Sequence, residues 1–227
     1  MLELVRLAKR KKCNLILFPE AVLGGLQLCG DFEIDSRKTL SPAASELIRG
    51  FAREEAIGIG FGFLELAAEL IYDSYMIFDH KGEPCLHYRR VSNTWLPGEI
   101  SSGHYACGAS VPAVQTPYGR LGILLCGDLF DPALVQQLSK QGPTLCLHPM
   151  ARAFDYTDDM QQLWDETEMP YYLDEYRKLR ADVLVCNALS PGNKGEEVYC
   201  GGAWFIRENQ VVSSLPLMQE GLLIVDI

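Results

Sequence analysis

The sequence has no apolar run near the ~20 residues a membrane-spanning helix needs. Runs such as residues 15–18 (Leu-Ile-Leu-Phe) have instead the length of a strand buried on both faces. A secretory signal's order of basic start, apolar stretch and small residues is also missing: residues 2–5 are followed at once by Arg6, Lys9, Arg10, Lys11 and Lys12. Positive charge is in deficit, with 20 Lys and Arg against 30 Asp and Glu, and the net charge of −10 repels phosphate backbones. No nucleic-acid partner and no membrane partner are therefore expected. The eight cysteines form no CxxC pair, and a chain of this size needs no disulfide staples. His104 with Cys107, and Cys146 with His148, lack a second pair at zinc-binding spacing. A cytoplasmic globular protein with reduced thiols and no metal is the expectation.

What is present suits one core. The 227 residues are 48% hydrophobic and 22% charged, which is a folding composition, and no linker, repeat or low-complexity tract divides residues 1–227. Residues 2–12 read as the tail of an amphipathic helix, and Ser41-Pro42 opens a helix to about residue 55. Residues 57–63 alternate bulky side chains with Gly58, Gly60 and Gly62, a strand with one bare face that lets something approach its backbone. Hairpins are expected around residues 80–83 and 117–120. A helix after Asp131-Pro132, a strand at 144–148, a helical stretch from about 158 to 180 broken at Pro170, and a strand at 183–187 follow. A glycine-rich loop at 190–202 and a meander of strands at 203–207, 211–215 and 222–226 end the chain. The pattern is mixed α/β.

Three polar positions stand at the ends of apolar strands, where a rigid framework can aim a side chain into a crevice: Glu20, Arg89-Arg90 and Cys126. Taken singly, Glu20 reads as a loop carboxylate and Cys126 as one more buried thiol. Taken together, a cysteine, an acid and a base suit a nucleophile arrangement.

The whole chain resembles the carbon–nitrogen hydrolase (nitrilase) superfamily. Leu15-Ile16-Leu17-Phe18-Pro19-Glu20 followed by Gly24-Gly25, then His87-Tyr88-Arg89-Arg90-Val91, then Leu125-Cys126-Gly127-Asp128 are similar to its three motifs, in order. His148-Pro149-Met150-Ala151, Asn187 and Gly201-Gly202-Ala203 continue the likeness. The resemblance implies a four-layer α-β-β-α sandwich and a thiol-dependent hydrolysis of non-peptide C–N bonds in a small amide or nitrile. Cys126 would be the nucleophile and Glu20 its general base. The backbone N–H of Gly127, with the cation at position 90, would hold the oxyanion. The family's second Glu, between the cation and the cysteine, would be Glu99, the only acidic residue in that interval. No cofactor is implied.

Two departures stand out. Arg90 occupies the family's lysine position, and a guanidinium is bulkier than an ammonium and does not release its proton. The family's first strand is apparently missing, since the chain starts within the following helix. Both leave an alternative open, a catalytically silent binding or assembly protein on the same fold. Trp164, Met169, Tyr171, Tyr172 and Tyr176 crowd the 158–180 stretch and suit the core of a homodimer interface.

Overall fold

Local chemistry sets the helices where the spacing predicts them. The Ser41 hydroxyl accepts from the Ala44 N–H at 3.2 Å, and Pro42 occupies the first turn, where no N–H is needed. The structure, a computed structural model, describes residues 1–96 and 102–227. Helix α1 (Leu2–Arg10) buries Val5 and Ala8, α2 (Phe32–Ser36) is capped by Asp31, and α3 (Pro42–Glu55) buries Ile48, Phe51 and Ala52.

The described chain divides into two compact units, residues 1–110 with 116–118, and residues 111–115 with 119–227. The first holds a four-stranded sheet in the order β1 (Leu15–Leu17), β2 (Gly58–Ala67), β3 (Leu70–Phe78), β4 (Pro84–Arg89). Strand β1 runs parallel to β2, and the other pairs are antiparallel. The bare glycine face does what its pattern predicts. Phe18 N–H donates to the Gly60 carbonyl and Leu23 N–H to that of Gly62, so the segment after β1 runs along β2. A Cβ on Gly62 would lie 2.4 Å from the Ala21 nitrogen and 2.7 Å from the Glu20 Cα. Strand β2 is longer than expected because it turns into β3 at Ala68-Glu69, both with positive φ. A two-residue hairpin of this kind is usually marked by Gly or Asn, and this one carries neither.

The second unit holds six strands in the order β12 (Gln210–Leu215), β11 (Ala203–Arg207), β9 (Asp182–Asn187), β7 (Leu145–Met150), β6 (Gly119–Ile123), β5 (Ala113–Thr116). Strands β6, β7 and β9 are mutually parallel, and β11 and β12 are antiparallel additions. A two-stranded pair joins β8 (Ala153–Asp155) to β10 (Glu197–Tyr199), the latter inside the expected loop. Helix α4 (Pro132–Ser139) supplies the crossover from β6 to β7. Residues 222–226 form no strand. After β12, Leu217 is buried, Met218 turns at φ +57° and its N–H goes to the Cys200 carbonyl, so the chain leaves the sheet edge.

The 158–180 stretch is also different in detail. Helix α5 (Met160–Leu163) and α6 (Met169–Tyr176) are joined by a π-turn (Trp164–Glu168), where the Met169 N–H reaches back to the Trp164 carbonyl. The wider turn places Pro170 at the start of α6, so its missing N–H interrupts no regular ladder. Trp164, Met169, Tyr172 and Tyr176 are buried within the chain, and only Tyr171 of the five expected interface residues is exposed. Trp164 stacks on Trp204, with ring centroids 4.7 Å apart. Aromatic spacing alone does not tell an internal face from an external one. Among the described residues no helix is long and apolar enough to cross a membrane, and no three His, Cys, Asp or Glu side chains gather as a metal site would require.

Candidate active site

In the first unit, Glu20 follows β1 and is buried on the Gly62 side of β2. Arg90 follows β4, and its backbone is tied at both ends: its N–H donates to the Asp73 carbonyl at 2.8 Å and its own carbonyl accepts from Gly108 at 2.7 Å. The two side chains meet. Arg90 Nη1 donates to Glu20 Oε1 at 2.9 Å, with both groups buried. The same guanidinium donates from Nε to Ser92 Oγ at 3.0 Å and from Nη2 to Thr94 Oγ1 at 2.6 Å, and lies 3.5 Å from the Asp73 carboxylate. Arg89, on the other face, bonds the Glu65 carboxylate and stacks 3.9 Å over Tyr72. The alternation of a strand thus separates the two arginines.

Glu20 Oε2 is buried and has no hydrogen-bond partner among the described residues. A buried carboxylate oxygen without a donor is costly. Asp73 was not singled out in the sequence. Its signal is that it is the one charged residue in strand β3. Glu99 lies outside the described residues.

In the second unit, Cys126 is not at the end of β6. Leu124 and Leu125 continue beyond that strand, and Cys126 starts a 3-10 turn (Cys126–Phe130) with φ +43°. A non-glycine residue held there is strained and persists only where its surroundings hold it. Asp128, fully buried, closes the turn: its N–H donates to the Leu125 carbonyl at 2.9 Å and its Oδ2 accepts from the Leu125 N–H at 3.2 Å. Gly127 is the second residue of the turn, where a backbone N–H has no acceptor within the turn itself. The Cys126 thiol is half-buried.

Two further buried polar residues of this unit make side-chain hydrogen bonds to backbone. His148, on β7 and fully buried, directs Nε2 at the Cys126 carbonyl at 3.0 Å and bonds the Tyr176 hydroxyl through Nδ1. Asn187, at the end of β9, clamps Arg152 by accepting from its N–H at 2.7 Å and donating to its carbonyl at 3.1 Å. The same amide donates to Cys200 Sγ at 3.0 Å.

Comparison with known proteins gives a consistent result. A family model described as carbon-nitrogen hydrolase matches residues 1–227. The N-carbamoylputrescine amidase of Solanum tuberosum is 26% identical over 161 residues, covering 69% of this chain and 53% of that protein. The formamidase of Bradyrhizobium diazoefficiens is 25% identical over 187 residues, covering 79% and 50%. The chain thus spans about half the length of the curated relatives it matches. Among solved structures, a carbon-nitrogen hydrolase from Helicobacter pylori superposes with a TM-score of 0.74 at 15% identity, covering 95% of this chain and 78% of that one. An amidase from Nesterenkonia sp. gives 0.70 at 21% identity, covering 95% and 78%. At these identities the likeness shows the fold, which is the α/β fold of those hydrolases.

Proposed function

We propose that this chain, which belongs to the carbon–nitrogen hydrolase family, hydrolyses a non-peptide C–N bond in a small amide or nitrile through a cysteine acyl-enzyme. The observation that carries the reading is the Glu20 carboxylate, with one oxygen held by Arg90 and the other buried without a hydrogen-bond partner among the described residues. Such a group is oriented and still able to accept a proton, as a general base must be.

Cys126 is assigned as nucleophile, since a thiolate is the strongest side-chain nucleophile near neutral pH. Its sulfur adds to the amide carbon, the C–N bond breaks with proton return to the amine, and a thioester remains. Water then adds to the thioester, giving up a proton to a base, and the acid leaves as the thiol reforms. Glu20 is assigned the proton transfers. The Gly127 N–H and the Arg90 cation are assigned the oxyanion, and Glu99 an orienting role. No resident cofactor is part of this scheme. The chain acts as one domain, in the cytoplasm and as a homodimer, on the same reading.

The test is hydrolysis of a panel of small amides by the wild type and by Cys126→Ala. Turnover that disappears in Cys126→Ala supports the proposal, and equal rates in both overturn it.

One observation favours a second reading. The Arg90 guanidinium is engaged by Glu20, Ser92, Thr94 and Asp73, which suits a structural ion pair in a silent binding protein. Absence of any turnover above the Cys126→Ala background would select that reading.

A further inference from the structure

We infer that His148 and Tyr176 form a positioning relay that aims the Gly127 N–H by holding the carbonyl of Cys126. The inference rests on the reading of the Gly127 N–H as the oxyanion donor. All four residues belong to the second unit.

A carbonyl oxygen can only accept, so His148 Nε2, 3.0 Å from the Cys126 oxygen, must carry the proton. The other ring nitrogen faces the Tyr176 hydroxyl. Burial holds that phenol well above its usual pKa, with Tyr172, Cys146 and Cys126 adding to the effect, so Tyr176 keeps its proton, and in a neutral imidazole protonated at Nε2 the free Nδ1 accepts from that hydroxyl. The chain of donors then runs one way: Tyr176 O–H to His148 Nδ1, His148 Nε2–H to the Cys126 carbonyl.

The next link is covalent. The Cys126–Gly127 peptide is one of the trans bonds of the chain, and in a planar trans peptide the C=O and the N–H point in opposite directions. Fixing the Cys126 oxygen therefore fixes where the Gly127 hydrogen points. Donation to the carbonyl also polarises the amide, which strengthens the N–H as a donor by cooperativity. The strain at Cys126, φ +43°, gives this peptide a reason to rotate away if it were not held. Around the relay, His148 and Tyr176 rings meet edge to face at 5.5 Å, and Tyr172 packs 5.9 Å from His148. The imidazole therefore has little room to turn.

The experiment uses Tyr176→Phe, which removes only the outer hydroxyl, His148→Gln, which keeps a donor within reach, and His148→Leu, which keeps none. Three quantities are read: the Gly127 amide 15N resonance, turnover of small amides, and the rate of Cys126 alkylation by iodoacetamide. Alkylation displaces iodide at a saturated carbon and needs no oxyanion donor. His148→Leu is expected to shift the Gly127 resonance and to lower kcat by about ten- to a hundredfold, with alkylation within about threefold of wild type. Tyr176→Phe should shift the same resonance in the same direction by less, and His148→Gln should recover most of the lost turnover. A Gly127 resonance unmoved in Tyr176→Phe and both His148 variants overturns the relay, as does parallel loss of alkylation and turnover. If the wild type turns over no amide, the functional reading fails, and the Gly127 resonance in Tyr176→Phe still decides the relay.

Discussion

Arg90 and Glu20 form a buried ion pair at 2.9 Å in which the carboxylate uses one oxygen and the guanidinium also holds Ser92 and Thr94. A flexible ammonium has three donors on one atom and cannot span that set. Arginine at this position therefore brings its own local partners. On the proposed chemistry, Arg90→Lys lowers amide hydrolysis by about a hundredfold, the loss expected for an oxyanion donor. Kinetics on a panel of small amides checks this, and a gain of activity in Arg90→Lys would show an impaired site.

Removing the cation altogether tests the pair as structure. Arg90→Ala leaves the Glu20 and Asp73 carboxylates buried beside each other's field, and breaking a buried pair on one side costs about 3–5 kcal/mol. The expected result is a lower urea midpoint with an unchanged slope. A loss below about 1 kcal/mol, the range of exposed pairs, would contradict the burial seen here.

Thiol chemistry separates Cys126 from four other cysteines. Burial pushes the Cys146 and Cys186 thiols up to about 12, and those of Cys85 and Cys200 up to about 11. These four should resist iodoacetamide at neutral pH, while Cys126, if activated as the nucleophile, should label before them and before the more exposed Cys29. Mass mapping of labelled peptides over time reads the order, and uniform labelling would favour the silent protein.

Acid stability should depend on Asp35. Burial opposes its charge, but hydrogen bonds from Lys38, Tyr105 and Cys29 outweigh that penalty and bring its pKa from 3.8 to about 2. A carboxylate with a depressed folded pKa contributes stability that is full above its unfolded value and lost as pH falls from about 3.8 to 2. The contribution is about 2 kcal/mol at neutral pH. Asp35→Asn should lose it at pH 7 and show a flatter decline below pH 4, measured by urea unfolding at several pH values.

The proposed homodimer would pair through a small exposed patch. Phe130 and Tyr171 stack with ring centroids 5.3 Å apart and are 37% and 56% exposed, with Leu163 at 50%. Light scattering at micromolar concentration should give a dimer mass, and Tyr171→Asp should shift it toward monomer. A monomer mass for the wild type would overturn the proposal.

Local chemistry alone determined the α/β class, the Ser41-Pro42 helix start, the hairpin at residues 80–83 and the bare glycine face of β2, because caps, turns and alternation act over a few residues. Glu20, Arg90 and Cys126 were legible as polar positions that follow strand-like runs, and their catalytic roles remain part of the proposal. The Ala68-Glu69 turn was not, because neither residue advertises a positive φ. Only the tertiary structure decided which partners fill the Arg90 fork, that most of the 158–180 aromatics pack inward, that residues 222–226 leave the sheet, and that His148 and Tyr176 meet. Those outcomes depend on groups far apart in the chain, 70 residues for Glu20 and Arg90 and 28 for His148 and Tyr176. No local pattern encodes such a meeting, because it is the packing of whole elements that brings the two groups within hydrogen-bond reach.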